Sequence, residues 1–330
     1  MTMPRALEWL KVVVLTDNLT DSYSSKPAHV TPEFNNIARA GAHEISGATL
    51  CCAQLGLSLM LTAAVNDQQH KLLFDAGVEG VMLLRNSRNL GEPLDDVEEI
   101  AISHGHWDHT GALISVLDQA TRNDRTVPCH VNPGMFVERA ARLSDGRIMP
   151  FQPVPSVAEL TAHGADVVND GDERFLLDGF FYYSGEIPRE TSFEKGRLDH
   201  LARPSAQDEW QPDPFLMDER YLAVNLRDAG LLIFSACSHA GIVNVLRHAQ
   251  QRFPELPMYG AFGGFHLVGS LEAIIPETVE HLKTFGLAQI VPGHCSGFRA
   301  VNALLQEFGE DVVVPCAVGS SYRFPPNRVA

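Results

Sequence analysis

The stretch Ile100-Ala101-Ile102-Ser103-His104-Gly105-His106-Trp107-Asp108-His109-Thr110-Gly111 decides the fold. A short apolar strand runs straight into a His-x-His-x-Asp-His cluster, and a segment with helical spacing follows. Imidazole nitrogens and a carboxylate oxygen suit zinc and similar divalent ions. In an extended segment, residues two apart point the same way, so His104 and His106 can converge on one ion. Asp108 and His109 lie beyond a turn and can address a second. One histidine at a strand end is commonly structural, but four ligand-type residues within six positions after a strand point to a metal centre.

The C-terminal third repeats the same idea three times. Gly230 to His239, Met258 to His266 and Ala288 to His294 each read as a strand delivering a histidine, and helices are expected at about 241–252, 276–285 and 299–308. Strands alternating with helices imply helices packed outside a sheet. Residues at equivalent strand ends then gather at one edge, so His239, His266 and His294 join His104 in a shared site.

The rest of the chain supplies the frame. Residues 11–16 form a β-branched strand, closed by Asp17 and Asn18, which can either reach the site or form a simple turn. Ala48 to Val65 and Lys71 to Phe74 read as paired strands. Asp75 closes the second and is either a turn former or a partner to a ligand. Helices are expected at 81–89, 112–120, 134–142 and 156–163, and strands at 127–131 and 175–183. His130, at the end of one of these strands, reads as structural. Residues 189–220 are irregular and carry Arg189, Lys195, Arg197, His200 and Arg203 among Glu190, Glu194 and Asp199. They read either as an insertion lying over the site or as a solvated charged loop.

Composition sets the limits. A chain of 330 residues with 45% hydrophobic content can bury a large core. The formal net charge of -16, from 41 acidic and 25 basic residues, disfavours bare nucleic acid as a partner. No signal-peptide run opens the chain, and no stretch has the roughly eighteen uninterrupted apolar residues of a membrane span. Six scattered cysteines do not form a disulfide pattern. The expectation is a cytoplasmic, reduced protein acting on a small molecule, without a membrane; nothing in the sequence sets its oligomeric state.

The His104–His109 cluster resembles the signature of the metallo-β-lactamase superfamily, and Leu72-Leu73-Phe74-Asp75-Ala76-Gly77 resembles that family's upstream motif. Ser238-His239-Ala240-Gly241, Gly263-Gly264-Phe265-His266 and Pro292-Gly293-His294-Cys295 resemble a narrower branch. That branch is labelled as similar to a dihydropterin–ribofuranosyl-aminobenzene-phosphate synthase. The resemblance implies an α/β fold, the αββα sandwich of two mixed sheets with helices on both outer faces. With no linker visible, residues 1–330 read as one domain with an insertion near 189–220.

It also implies a ligand set of His104, His106, Asp108, His109, His239 and His294 around Zn²⁺, one or two ions, with Mn²⁺ or Fe as alternatives. One departure stands out: where the family carries a bridging Asp, Phe234 to His239 has none. Cys237 or His239 takes that place, or no bridge exists, and His239 can equally complete the first ion. Many members place a metal-binding His after the strand at 175–183; here only Glu186 is on offer, or no ligand at all.

The expected chemistry is a metal-bound hydroxide acting on an ester, lactone, thioester or phosphoester. Asp108 would orient the water as well as bind metal, and His266, where it is not itself a ligand, would protonate the leaving group. Arg189 and Arg197 would hold an anionic substrate. A synthase-like condensation and a non-catalytic metal-dependent binding protein are the alternatives.

Overall fold

In the computed structural model, which describes residues 2–122 and 125–325, two sheets face each other and helices cover their outer faces. Met1 and residues 326–330, the ends of the 1–330 domain reading, lie outside the described residues. The first sheet has the order Ala165–Asn169, Val127–Val131, Glu99–Ala101, Gln68–Phe74, Ser58–Val65, Trp9–Thr16, Ser321–Phe324, Val30–Thr31. The second runs Arg174–Leu176, Phe181–Tyr183, Leu222–Leu226, Gly230–Ser235, Met258–Gly264, Gln289–Gly293, with Ala6–Leu7 alongside Leu222–Leu226. Both mix parallel and antiparallel pairs.

Period-two alternation explains the layers. Val12, Val14, Leu59, Leu61, Leu72 and Phe74 point inward to meet Leu232, Phe234, Phe262 and Val291 of the second sheet. The intervening Val13, Leu15, Met60 and Leu73 point outward, beneath helices Gly80–Asn89 and Leu113–Ala120. Leu231 and Ile233 do the same under helices Ile242–Arg252, Ile275–Lys283 and Phe298–Phe308. The strands are apolar on both faces because both faces are covered. Among the described residues, no helix is long and apolar enough to cross a membrane.

Three local expectations are corrected. The strand expected from Ala48 begins only at Ser58, because Gly56 turns the chain at a φ of 124° against the metal loop; a Cβ there would stand 2.3 Å from the Asp108 carbonyl oxygen. Phe175 to Tyr183 is two strands, broken by left-handed residues Leu177, Asp178 and Gly179. The helix expected at 134–142 is a 3₁₀ turn, Pro133–Phe136, followed by strand Glu138–Arg142. That strand pairs with His200–Arg203, so a long-range partner overrides local helix propensity. With Ile148–Pro150 and Gln211–Pro212 they form a third, four-stranded sheet. Strands from 189–220 thus share a sheet with strands from 138–150.

Candidate metal centre

The loop after Glu99–Ala101 carries four buried residues, His104, His106, Asp108 and His109, to one edge of the sandwich. The turns after Gly230–Ser235, Met258–Gly264 and Gln289–Gly293 bring Cys237 and His239, His266, and His294 with Cys295 to the same place. Ser238, His266 and His294 have positive φ values of 60°, 43° and 48°. Such left-handed backbone is costly for non-glycine residues and clusters where side chains must be aimed.

Two donor sets result. His104, His106 and His239 form the first, with His104 Nε2 3.0 Å from His106 Nδ1. Asp108, His109 and His294 form the second: His109 Nε2 and His294 Nε2 are 3.2 Å apart, and Asp108 Oδ2 is 3.5 Å from His294 Nε2. Cys237 lies between them, grouped with His104 and His109, its sulfur 3.4 Å from His294 Nε2. So His239 stands with the first set, and the place expected for a bridging Asp is occupied by a thiol. Glu186 is exposed and belongs to neither set.

The partners behind the imidazoles fix which nitrogen faces the cluster. Asp75 accepts from Ser103 N at 2.7 Å, from Ser103 Oγ at 2.7 Å and from His109 Nδ1 at 2.7 Å. Ser103 Oγ in turn accepts from His104 Nδ1 at 2.9 Å. One buried carboxylate thus leaves the Nε2 lone pairs of both His104 and His109 free. His106 does the reverse: its Nε2 meets His200 Nε2 at 2.8 Å, and His200 Nδ1 donates to the Asp213 carbonyl at 3.1 Å, which frees His106 Nδ1. Asp17 and Asn18 do reach the site, but through the backbone: Asp17 Oδ2 accepts from His294 N at 3.0 Å and Asn18 Nδ2 donates to His294 O at 2.8 Å. Burial pushes the Asp17 carboxyl up to about 6. Gly56 N–H lies 3.2 Å from His294 Nδ1, so His294 alone meets a donor on its outer nitrogen.

These residues fit a metal. Both ring nitrogens of buried His239 lack a hydrogen-bond partner. Burial holds the pKa values of His104, His106 and His239 well below the ordinary imidazole value, which keeps them in the neutral form that binds cations. Nitrogen, oxygen and sulfur donors together match zinc and its neighbours.

A cavity of about 490 Å³ opens onto both sets. His106, Asp108, Cys237, His266 and His294 line its floor, and Leu55, Trp107, Phe151, Val268 and Leu271 its apolar walls. Arg197 also lines it, with Asp199 as its partner, at Arg197 Nε to Asp199 Oδ1 3.1 Å. Arg189 does not. Its guanidinium donates to the carbonyls of Ile187, Phe215 and Leu216, where it supports the loop. A larger groove of about 960 Å³, between Trp9, His29, Arg227 and Arg323, holds none of the clustered ligands. His130 pairs with Glu99 at 2.7 Å, away from both sets.

Residues 61–177 match the sequence profile of the metallo-β-lactamase superfamily. Over 259 residues the chain is 27% identical to 7,8-dihydropterin-6-methyl-4-(β-D-ribofuranosyl)-aminobenzene-5'-phosphate synthase of Methanocaldococcus jannaschii, covering 78% of this chain and 86% of that protein. The chain is similar to the metallo-β-lactamase superfamily and has its fold. A second, uncharacterized M. jannaschii protein is 29% identical over 255 residues, covering 77% and 88%. Among solved structures, Tm1679, a metal-dependent hydrolase of the β-lactamase superfamily, superposes with a TM-score of 0.68 at 20% identity, covering 94% of this chain and 98% of that one. The metallo-β-lactamase fold accounts for the opposed sheets and for a donor cluster at their edge.

Proposed function

We propose that the chain is a metal-dependent hydrolase of a small anionic ester, lactone, thioester or phosphoester. The observation that carries this reading is the pair of neighbouring donor sets on the floor of one cavity. Divalent ions held there would act as Lewis acids and lower the pKa of bound water. The chain's own residues do the rest. Asp108 is placed to orient the attacking water and His266 to give a proton to the leaving group. Trp107 and Phe151 keep one side of the substrate dry, and Arg197 pairs with its anionic part.

A synthase-like condensation has two supports of its own. One is the similarity to the dihydropterin-linked synthase, and the other is the aromatic pair Trp107 and Phe151, which suits a planar ring. The two reactions part on product. Purified protein, given an ester, lactone and phosphoester panel and separately a pterin pyrophosphate with an aryl ribose phosphate, is expected to hydrolyse a panel member. Chelation should abolish turnover, and Asp108→Ala should lower kcat by about 100-fold or more. Pyrophosphate release with a joined product would assign the synthase, and full activity after complete metal removal would end both readings.

A further inference from the structure

Beside the two imidazole-rich sets lies a third group of different chemistry: Cys237, His266 and Cys295, all buried, with their donor atoms within 4.8 Å of one another. Cys237 Sγ is 3.3 Å from Cys295 Sγ and 3.6 Å from His266 Nδ1. A tetrahedral ion with metal–sulfur bonds of about 2.3 Å and metal–nitrogen bonds of about 2.0 Å separates its donors by about 3.5–3.8 Å. Both distances from Cys237 lie within about 0.5 Å of these edges, and the third pair of donors is within 4.8 Å. All three residues line the cavity, so a fourth position faces solvent or substrate.

The backbone favours this convergence. The three residues come from three successive parallel strand ends, Gly230–Ser235, Met258–Gly264 and Gln289–Gly293, and His266 is held at a left-handed φ of 43°. Gly264 keeps the space open: a Cβ there would lie 2.7 Å from Cys295 Sγ. Two thiols in mutual contact could simply serve as weak donors, as Cys295 does to the Cys237 carbonyl at 3.4 Å. That does not account for His266, whose Nδ1 faces the same sulfur.

We infer that Cys237, His266 and Cys295 form a third, thiolate-bearing subsite for a soft cation such as Zn²⁺ or Cd²⁺, adjoining the two imidazole sets. The inference rests on the reading of those sets as metal sites. Cys237, 3.4 Å from His294 Nε2 as well, is placed to share its sulfur with the second set. His266 would bind through Nδ1, and while it does so it cannot act as the imidazolium acid, so protonation of a leaving group belongs to the state in which this subsite is empty. Sulfur donors select soft metals over Mg²⁺ or Mn²⁺.

The test is titration of chelator-stripped, reduced protein with Cd²⁺, following metal stoichiometry and the sulfur-to-cadmium charge-transfer absorption. The wild type is expected to bind three equivalents and develop that band. Cys295→Ala and His266→Ala should each lose one equivalent and much of the band while keeping two. Cys295→Ser, with circular dichroism of each variant, controls for misfolding. Two equivalents without a thiolate band would overturn this subsite and leave the imidazole sets standing. A band that ignores Cys295→Ala would assign Cys237 to the imidazole sets alone and also overturn it. No bound metal at all would remove the proposed function too.

Discussion

His200 shows how much one side chain from a distant strand can decide. Its Nε2 touches His106 Nε2 at 2.8 Å, and its Nδ1–H donates a hydrogen bond to the Asp213 carbonyl. Asp213 in turn lies 3.6 Å from Arg139, which binds Asp218 at 2.6 Å. Asp218 Oδ2 accepts from Gly105 N at 2.8 Å, so the chain of contacts returns to the metal loop. Partners of this kind orient the ligating ring, and their loss lowers metal affinity by about 10–100-fold. His200→Ala is therefore expected to weaken metal binding by about that factor in a chelator competition, with His200→Gln recovering part of it. Equal affinity in wild type and His200→Ala would make His200 a packing residue only. The candidate ligands are legible because His104, His106, Asp108 and His109 are close in sequence. His200 is not, since only the pairing of His200 with Ala141 places it beside His106. Cys295 follows His294 in sequence, but its sulfur acquires meaning as a donor only next to Cys237.

At the scale of elements, the helix Ile242–Arg252 starts from Gly241 without a side-chain cap of its own. Two carboxylates from distant segments stand in. Glu194 accepts from Val243 N and Asn244 N, each at 2.9 Å, and Glu219 accepts from His239 N at 2.8 Å and Ala240 N at 2.7 Å. Both complement the positive end of the helix. The segment 189–220 is thus tied to the main body by capping. Glu194→Ala would leave two buried N–H groups unpaired and is expected to lower stability by about 1–3 kcal/mol in urea unfolding. The exposed Glu190→Ala should change it by less than about 0.5 kcal/mol. Comparable losses from both would refute the capping role. Here the sequence was a partial guide. The apolar strand runs at Val12 to Leu15 and Leu231 to Phe234 are local and readable. The helix expected at 134–142 fails because the strand partner of Glu138–Arg142 lies far along the chain, and nothing local in the sequence distinguishes Glu194 from the other charges of its loop.

The whole molecule carries a net charge of -16, so its field repels the kind of substrate proposed for it. Two features would offset this: cations bound at the candidate donor sets, and Arg197 at the cavity wall. The repulsion acts over long range and is screened with a Debye length of about 10 Å at 0.1 M salt. Contacts inside the cavity are screened much less. For an anionic substrate, kcat/KM is thus expected to rise with ionic strength, whereas a neutral analogue should stay nearly constant. Arg197→Ala should raise KM for the anion by about tenfold, the equivalent of about 1.4 kcal/mol, while leaving the neutral analogue almost unchanged. A surface ion pair with Asp199 alone would be worth about 1 kcal/mol or less of stability and would not distinguish the two substrates. Arg189 supplies the contrast. Its guanidinium holds backbone carbonyls, so Arg189→Ala should lower the unfolding midpoint and shift KM for both substrates alike. If Arg189→Ala discriminated between anion and neutral analogue and Arg197→Ala did not, the anion would have to bind on the other side of the loop, away from the cavity that Arg197 lines.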